Sequence, residues 1–323
     1  MNQRGTSGAF GSLESTNRFT EFMTKIKIAV SLLLLTFLLW KVHPRQIFHT
    51  FRDANFDGLI IAVALGMLML SLRWWKWHIL VKSGLQTCSR KQSLVSLLGG
   101  MAFALVTPAR VGELSRALFF GKGSKTQVGA LTFLDRLVDL LVVLLFASVG
   151  ATSRVSPIFR VGLALTMGVM AFIVIRFESF LGLLRRRFKK GWLGARISKV
   201  EEVERNLGHG AIVQNFVLSC CLTFVDLVTF YVLLRCFVPV PFSVILFVFP
   251  LVLLTNVAPV TLSGLGLREG TAIALLGLFG ISSAAAFNAT FLSYLLNSVA
   301  PALAGAVYAK NMKLGFSSSG NSN

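Results

Sequence analysis

Two apolar stretches, Leu94 to Phe120 and Val244 to Leu278, are each interrupted at a proline, Pro108 in the first and Pro259 in the second. A spanning helix needs about 20 uninterrupted apolar residues, so neither half of either stretch crosses a bilayer as a regular helix. Each proline is followed by a polar turn that carries glycine, arginine and glutamate. In the first stretch these are Arg110, Gly112 and Glu113; in the second, Gly264, Gly266, Arg268 and Glu269, with Gly270 next. Irregular backbone survives at membrane depth only where protein or a wet cavity shelters it. Paired interruptions at matching places in two halves are the pattern of hairpins that carry a transport site into the membrane.

Longer apolar runs surround these hairpins: residues 26–40, 58–80, 128–151, 158–175, 211–234 and 287–309. The fold class expected is all-α, a polytopic membrane helix bundle of about six full spans plus two re-entrant helical hairpins in inverted-repeat arrangement. The domain reading is a disordered cytoplasmic tail over 1–25 and a single transmembrane domain over 26–310. Within it lie repeat halves at about 58–151 and 158–310 and a basic cytoplasmic loop at 176–210; a second cytoplasmic tail covers 311–323.

Composition enters where the charge has to be explained. The chain is 54% hydrophobic and only 14% charged, yet has a formal net charge of +19. Soluble domains carry about 25% charged residues, so this is a membrane protein. Its cations sit between apolar runs, which makes them orientation signals and contacts for anionic headgroups, with no nucleic-acid partner expected. Placing both termini in the cytoplasm puts most Lys and Arg inside, as the positive-inside rule demands. The densest cluster is Arg185, Arg186, Arg187, Lys189 and Lys190. Interleaved Phe and Leu suit it to a helix lying on an anionic leaflet, with a solvated loop as the alternative. Arg73, Trp74, Trp75, Lys76 and Trp77 read as a headgroup-level belt. The four cysteines have no CxxC spacing and read as small buried hydrophobes.

Charges inside a membrane face a bundle interior or a cavity. Those expected there are Arg110, Glu113 and Arg116 in the first hairpin, Arg268 and Glu269 in the second, and Asp135, Arg136, Asp139 and Asp226 on spans. Glu113 with Arg116 and Arg136 with Asp139 are spaced to pair on one helix face, as is Arg110 with Glu113. They can therefore lock the hairpins to the bundle, or they can bind a ligand. A guanidinium fork matches phosphate, and a helix beginning after a proline–glycine break presents free N–H groups. Four arginines face five acids, a sum of minus one. A simple anion sink is thereby excluded, and Glu113 and Glu269 become candidates for a protonation switch. His43, His49, His78 and His209 are scattered, with no metal-ligand spacing, so neither metal nor cofactor is expected.

TPARVGELSRAL (Thr107 to Leu118), DRLVD (Asp135 to Asp139) and PVTLSGLGLREG (Pro259 to Gly270) resemble the lysylphosphatidylglycerol synthase transmembrane, or flippase-like, family of bacterial and archaeal membrane proteins. The likeness covers nearly the whole chain in segment order. It implies an all-α bundle with two re-entrant hairpins in the cytoplasmic (inner) membrane. Family members include the flippase domain of multiple peptide resistance factors, which moves aminoacylated phosphatidylglycerol between leaflets. Two departures follow: the family pattern carries Glu where this chain has Asp135, and no soluble aminoacyltransferase domain follows the membrane region, so no synthase activity is expected. The function expected is translocation of a phospholipid or lipid-linked headgroup, guided by Arg110, Arg116, Arg136 and Arg268. The alternatives are secondary transport of a small anionic solute, an intramembrane enzyme using Glu113 or Asp135 as acid/base, and an accessory partner of a lipid-modifying enzyme. A homodimer is compatible with each.

Overall fold

The computed structural model describes residues 44–52, 54–85, 88–105, 107, 111–120, 124–151, 192–257, 261 and 263–307, with isolated positions at 36, 158, 161–162 and 164–169. Outside these fall both tails, the first apolar run apart from residue 36, half of 158–175, Pro108, Arg110, Pro259 and the cluster Arg185, Arg186, Arg187, Lys189 and Lys190. All regular structure among the described residues is helical. Helix α1 is Pro44–Arg52, α2 is Phe56–Leu85 and α3 is Arg90–Leu105. A 3-10 helix, Val111–Phe119, precedes α4, Lys125–Ala151. Then come α5, Trp192–Arg235, and α6, Phe242–Leu254, which ends in a 3-10 turn at Thr255–Val257. Helix α7 is Leu267–Gly277, and α8, Ser283–Tyr294, runs on through a π turn at Leu295–Val299.

Three of the described helical stretches are long and apolar enough to cross a membrane: Phe56–Leu85, Asn206–Arg235 and Ser283–Val307. Helix α4 is 27 residues long, enough for about 40 Å, but it carries Asp135, Arg136 and Asp139 around its middle. Helix α5 contains non-helical backbone at Gly208 (φ 54°, ψ 151°). Part of the stretch expected to be a surface helix or loop is therefore core, since Val203 and Leu207 are buried against Trp77, Leu80 and Leu131.

The apolar interior is in two parts. One gathers Trp77, Leu80, Leu97, Leu131, Leu134 and Leu207. The other gathers Ala62, Leu144, Ala147, Leu227, Phe230 and Phe249, with the Phe230 and Phe249 rings stacked at 4.4 Å. Helices α2, α4 and α5 run through both, and between them all three change from Leu and Phe to Arg, Lys, Asp and Asn. A charged layer thus crosses the bundle between two apolar cores.

Both interrupted stretches form helical pairs. In the first, α3 and the 3-10 helix lie antiparallel, Ser96 Oγ donating to the Arg116 carbonyl at 3.1 Å and Gln92 Nε2 to that of Phe119 at 3.4 Å. Glycine allows this approach. A Cβ on Gly100 would strike the Arg116 side chain, one on Gly99 the Phe119 ring, and one on Gly112 the Phe103 backbone. In the second, glycine supplies backbone shape instead: Gly264 (φ 81°) and Gly266 (φ 82°) turn the chain into α7, beside Ser263 at φ 50°. Gly270, expected at the break, lies inside α7, its N–H donating to the Gly266 carbonyl at 2.9 Å.

Candidate functional site

The first hairpin delivers Glu113 and Arg116 one turn apart onto α4. Arg116 NH2 donates to Glu113 Oε2 at 2.7 Å and NH1 to Asp135 Oδ2 at 3.1 Å. Arg136 NH2 reaches Glu113 Oε2 at 2.7 Å and its NH1 lies 3.4 Å from Asp139 Oδ2. Helix α5 adds Asn215, whose Nδ2 donates to Asp135 at 3.2 Å, and Ser219, whose hydroxyl donates to Asp139 at 2.9 Å. The two residues sit four apart, and so share a helix face.

The residue missed by sequence reasoning is Lys76. Its Nζ lies 3.0 Å from Asp135 Oδ1 and is hydrogen-bonded to Asp139. It is 2% exposed, and Trp77 beside it is also buried. The belt reading fails for both: α2 continues to Leu85, so Lys76 stands inside the bundle and not at its rim, while Trp75 remains exposed. Trp77 forms the floor under Arg116, whose guanidinium carbon is 4.6 Å from the ring centroid. The excess negative charge in the sequence was the available signal, because adding Lys76 cancels it. Lys76, Arg116 and Arg136 stand against Glu113, Asp135 and Asp139, a neutral network drawn from α2, the first hairpin and α4. In low dielectric such a network holds only when its members satisfy one another.

The second hairpin treats the same residue types differently. Glu269 turns back on its own helix, Oε2 accepting the Gly266 N–H at 2.7 Å, a carboxylate at the positive end of α7. Its Oε1 accepts from Arg268 NH2 at 2.8 Å. Arg268 also donates to the Thr290 carbonyl at 3.3 Å and lies over the Tyr294 ring at 4.5 Å. The two glutamates expected to switch are thus both engaged: Glu113 by two arginines, Glu269 by Arg268 and a backbone N–H.

Both hairpins line one cavity of about 400 Å³. The first contributes Val111, Glu113 and Leu114; the second contributes Leu253, Leu254 and Asn256. Charged groups on its wall are Arg73 from α2, Arg136 and Asp139 from α4, and Asp226 from α5. Arg136 and Asp139 keep side-chain exposures of 35% and 29%. Val111, Leu114 and Phe133 are exposed apolar residues at its rim. A polar gap of about 30 Å³ adjoins it, sharing Arg73, Asp226, Leu253 and Asn256 and reaching Arg268, Thr290, Asn297 and Ser298. There Asn297 Nδ2 donates to Asp226 at 2.8 Å and Arg73 to the Asn297 carbonyl at 3.2 Å. That carbonyl belongs to the π turn, a geometry frequent at functional positions.

Of the expected site residues, Glu113, Arg136 and Asp139 face the main cavity, joined by Asp226. Arg116 and Asp135 do not line it; they stand behind Glu113 and hold it in place. Arg268 faces the adjoining gap, and Glu269 backs Arg268. Arg110 lies outside the described residues. Arg73 is the cation on the cavity wall that was assigned to the headgroup belt. None of the curated proteins matches this chain. The family profile described as the lysylphosphatidylglycerol synthase TM region matches residues 25–305, a span that holds the hairpins and every charge of the layer, and the chain belongs to that family.

Proposed function

We propose that this protein moves the polar headgroup of a phospholipid or lipid-linked compound across the cytoplasmic membrane while the acyl chains stay in the bilayer. The observation that carries the reading is the cavity of about 400 Å³ lined by both hairpins, with charged residues from α2, the first hairpin, α4 and α5 beside exposed apolar ones. Its volume is of the size that holds a small ligand. The rim residues Val111, Leu114 and Phe133 are exposed, as a passage open sideways to acyl chains requires.

Arg136 is the cation suited to exchange partners. It reaches the cavity, and its hydrogen bonds go to carboxylates that a phosphate oxygen can replace one for one. Arg116, sealed between Trp77 and two acids, is a positioning group that keeps Glu113 opposite Arg136. Five charges on the wall, Arg73 and Arg136 against Glu113, Asp139 and Asp226, make a poor sink for a free anion and favour a headgroup held by its lipid anchor. The topology that goes with this reading has six spans, both termini cytoplasmic, and two re-entrant hairpins inserted from opposite faces as inverted repeats. Access would alternate by movement of one repeat against the other.

The test is leaflet exchange of a fluorescent phospholipid in proteoliposomes. Wild-type protein is expected to exceed protein-free vesicles, and folded, reconstituted Arg136→Gln to fall at least about tenfold, the worth of one charge-assisted hydrogen bond. Exchange at the protein-free rate, or an unaffected Arg136→Gln, rejects the proposal.

A further inference from the structure

Helix α1 is left unused by the transport reading. Its sequence, PRQIFHTFR, places Arg45, His49 and Arg52 along one stripe, at spacings of four and three, and Ile47, Phe48 and Phe51 along another. Ile47 is turned inward. It packs against Ala284 and Phe287 of α8, and its carbonyl accepts from Asn288 Nδ2 at 3.0 Å. Phe48 is not turned inward, being 72% exposed; Phe51 is 44% exposed with one side against the Phe237 ring at 6.5 Å, and Phe56, the first residue of α2, is 77% exposed.

The position of α1 identifies what covers these rings. It lies where α2 begins, α5 ends and α8 begins. Asn55 ties that corner together, its N–H donating to the Cys236 carbonyl at 3.1 Å and its side chain accepting the Asp57 N–H at 3.0 Å. Three helix ends at one level mark a bilayer boundary. The exposed phenylalanines are continuous with the exposed Ile60 and Ile61 on the first turns of the α2 span. The polar stripe is basic, and Arg235 at the end of α5 adds a further exposed cation at this boundary.

We infer that α1 is an interfacial helix that inserts Phe48 and Phe51 into the leaflet at the N-terminal end of α2 and binds anionic phospholipid headgroups through Arg45 and Arg52. Amphipathic helices with basic and aromatic faces lie in the headgroup plane for this reason, apolar burial and charge attraction acting together. The contacts of Ile47 and Asn288 tie α1 to the start of α8. This inference is independent of the transport reading.

The experiment places a fluorine probe at one ring, Phe48→4-trifluoromethylphenylalanine, in full-length protein in nanodiscs containing phosphatidylglycerol and phosphatidylcholine. Doxyl-labelled lipid is expected to broaden the fluorine signal, and a water-soluble gadolinium chelate to leave it sharp. Doxyl-phosphatidylglycerol is expected to act at least about twofold more strongly than doxyl-phosphatidylcholine. Arg45→Gln with Arg52→Gln should bring that ratio to one while lipid broadening persists. Broadening by the chelate alone overturns insertion. Equal broadening by the two lipids in the wild-type protein overturns anionic selection. Shielding from both reagents that disappears in single-copy nanodiscs shows a second copy on this face and overturns the inference.

Discussion

The two hairpins carry the same residue types after the same kind of break, yet they satisfy them in opposite ways. In the first, Glu113 and Arg116 look outward to Asp135, Arg136 and, through Asp135, Lys76, so the charges bind three separate parts of the chain together. In the second, Glu269 caps its own helix and Arg268 pairs with its sequence neighbour, reaching out among the described residues to α8. Their glycines differ in the same sense. Gly99, Gly100 and Gly112 let two helices touch, whereas Gly264 and Gly266 let one chain turn. The first hairpin is held by its surroundings; the second largely holds itself.

That contrast is open to attack by substitution. The largest effect is expected from Arg116→Met, which removes the buried cation that bridges Glu113 and Asp135, leaves the network one negative charge in excess, and should cost about 3–5 kcal/mol in detergent unfolding. Arg268→Met should cost less, about 1–3 kcal/mol, because Glu269 retains the Gly266 N–H. Equal losses would erase the distinction between the hairpins. A double-mutant cycle of Lys76→Met with Asp139→Asn should return a coupling of about 1–3 kcal/mol; additive effects would remove α2 from the network.

Glycine substitutions sharpen the comparison further. Gly112→Ala drives a methyl into the Phe103 backbone and is expected to cost about 1–3 kcal/mol as overpacking. Gly264→Ala meets the left-handed penalty of about 1–2 kcal/mol, and its methyl also presses on the Asn256 side-chain oxygen, which can swing aside where the Phe103 backbone cannot. The diagnostic is asparagine, which tolerates that conformation: Gly264→Asn should be milder than Gly264→Ala, and Gly112→Asn worse than Gly112→Ala. The smallest expected effect is Ser96→Ala, the loss of one hydrogen bond between the arms of the first hairpin, about 1 kcal/mol in the same unfolding measurement.

Much of this architecture was legible in the sequence because membranes leave few options for a broken helix. The positions of both interruptions and the Glu113–Arg116 and Arg136–Asp139 pairs follow from proline, glycine and three-residue spacing, whereas the contact of Glu113 with Arg136 joins two elements that spacing cannot relate. Lys76 was not legible from composition, since Trp–Trp–Lys–Trp at the end of an apolar run describes a headgroup belt as well as a core. Only the charge sum separated the two. Arg116 could not be told from Arg136, because spacing fixes a helix face and not whether a cavity or a tryptophan lies opposite. Gly99 and Gly100 gave no sign of their role, which depends on the partner helix. Gly270 was grouped with the break because it continues a glycine series, although its N–H already belongs to α7.

The claim beneath all of this is that the cavity shared by the hairpins is the path of the headgroup. The most direct measurement is leaflet exchange with that cavity reversibly blocked: Leu114→Cys protein in proteoliposomes, treated with a bulky methanethiosulfonate and then reduced, beside wild-type protein treated identically to account for Cys221. The expected result is exchange that collapses on modification of the variant, returns on reduction, and is unchanged in the wild-type control. Full exchange through the blocked variant would contradict the path.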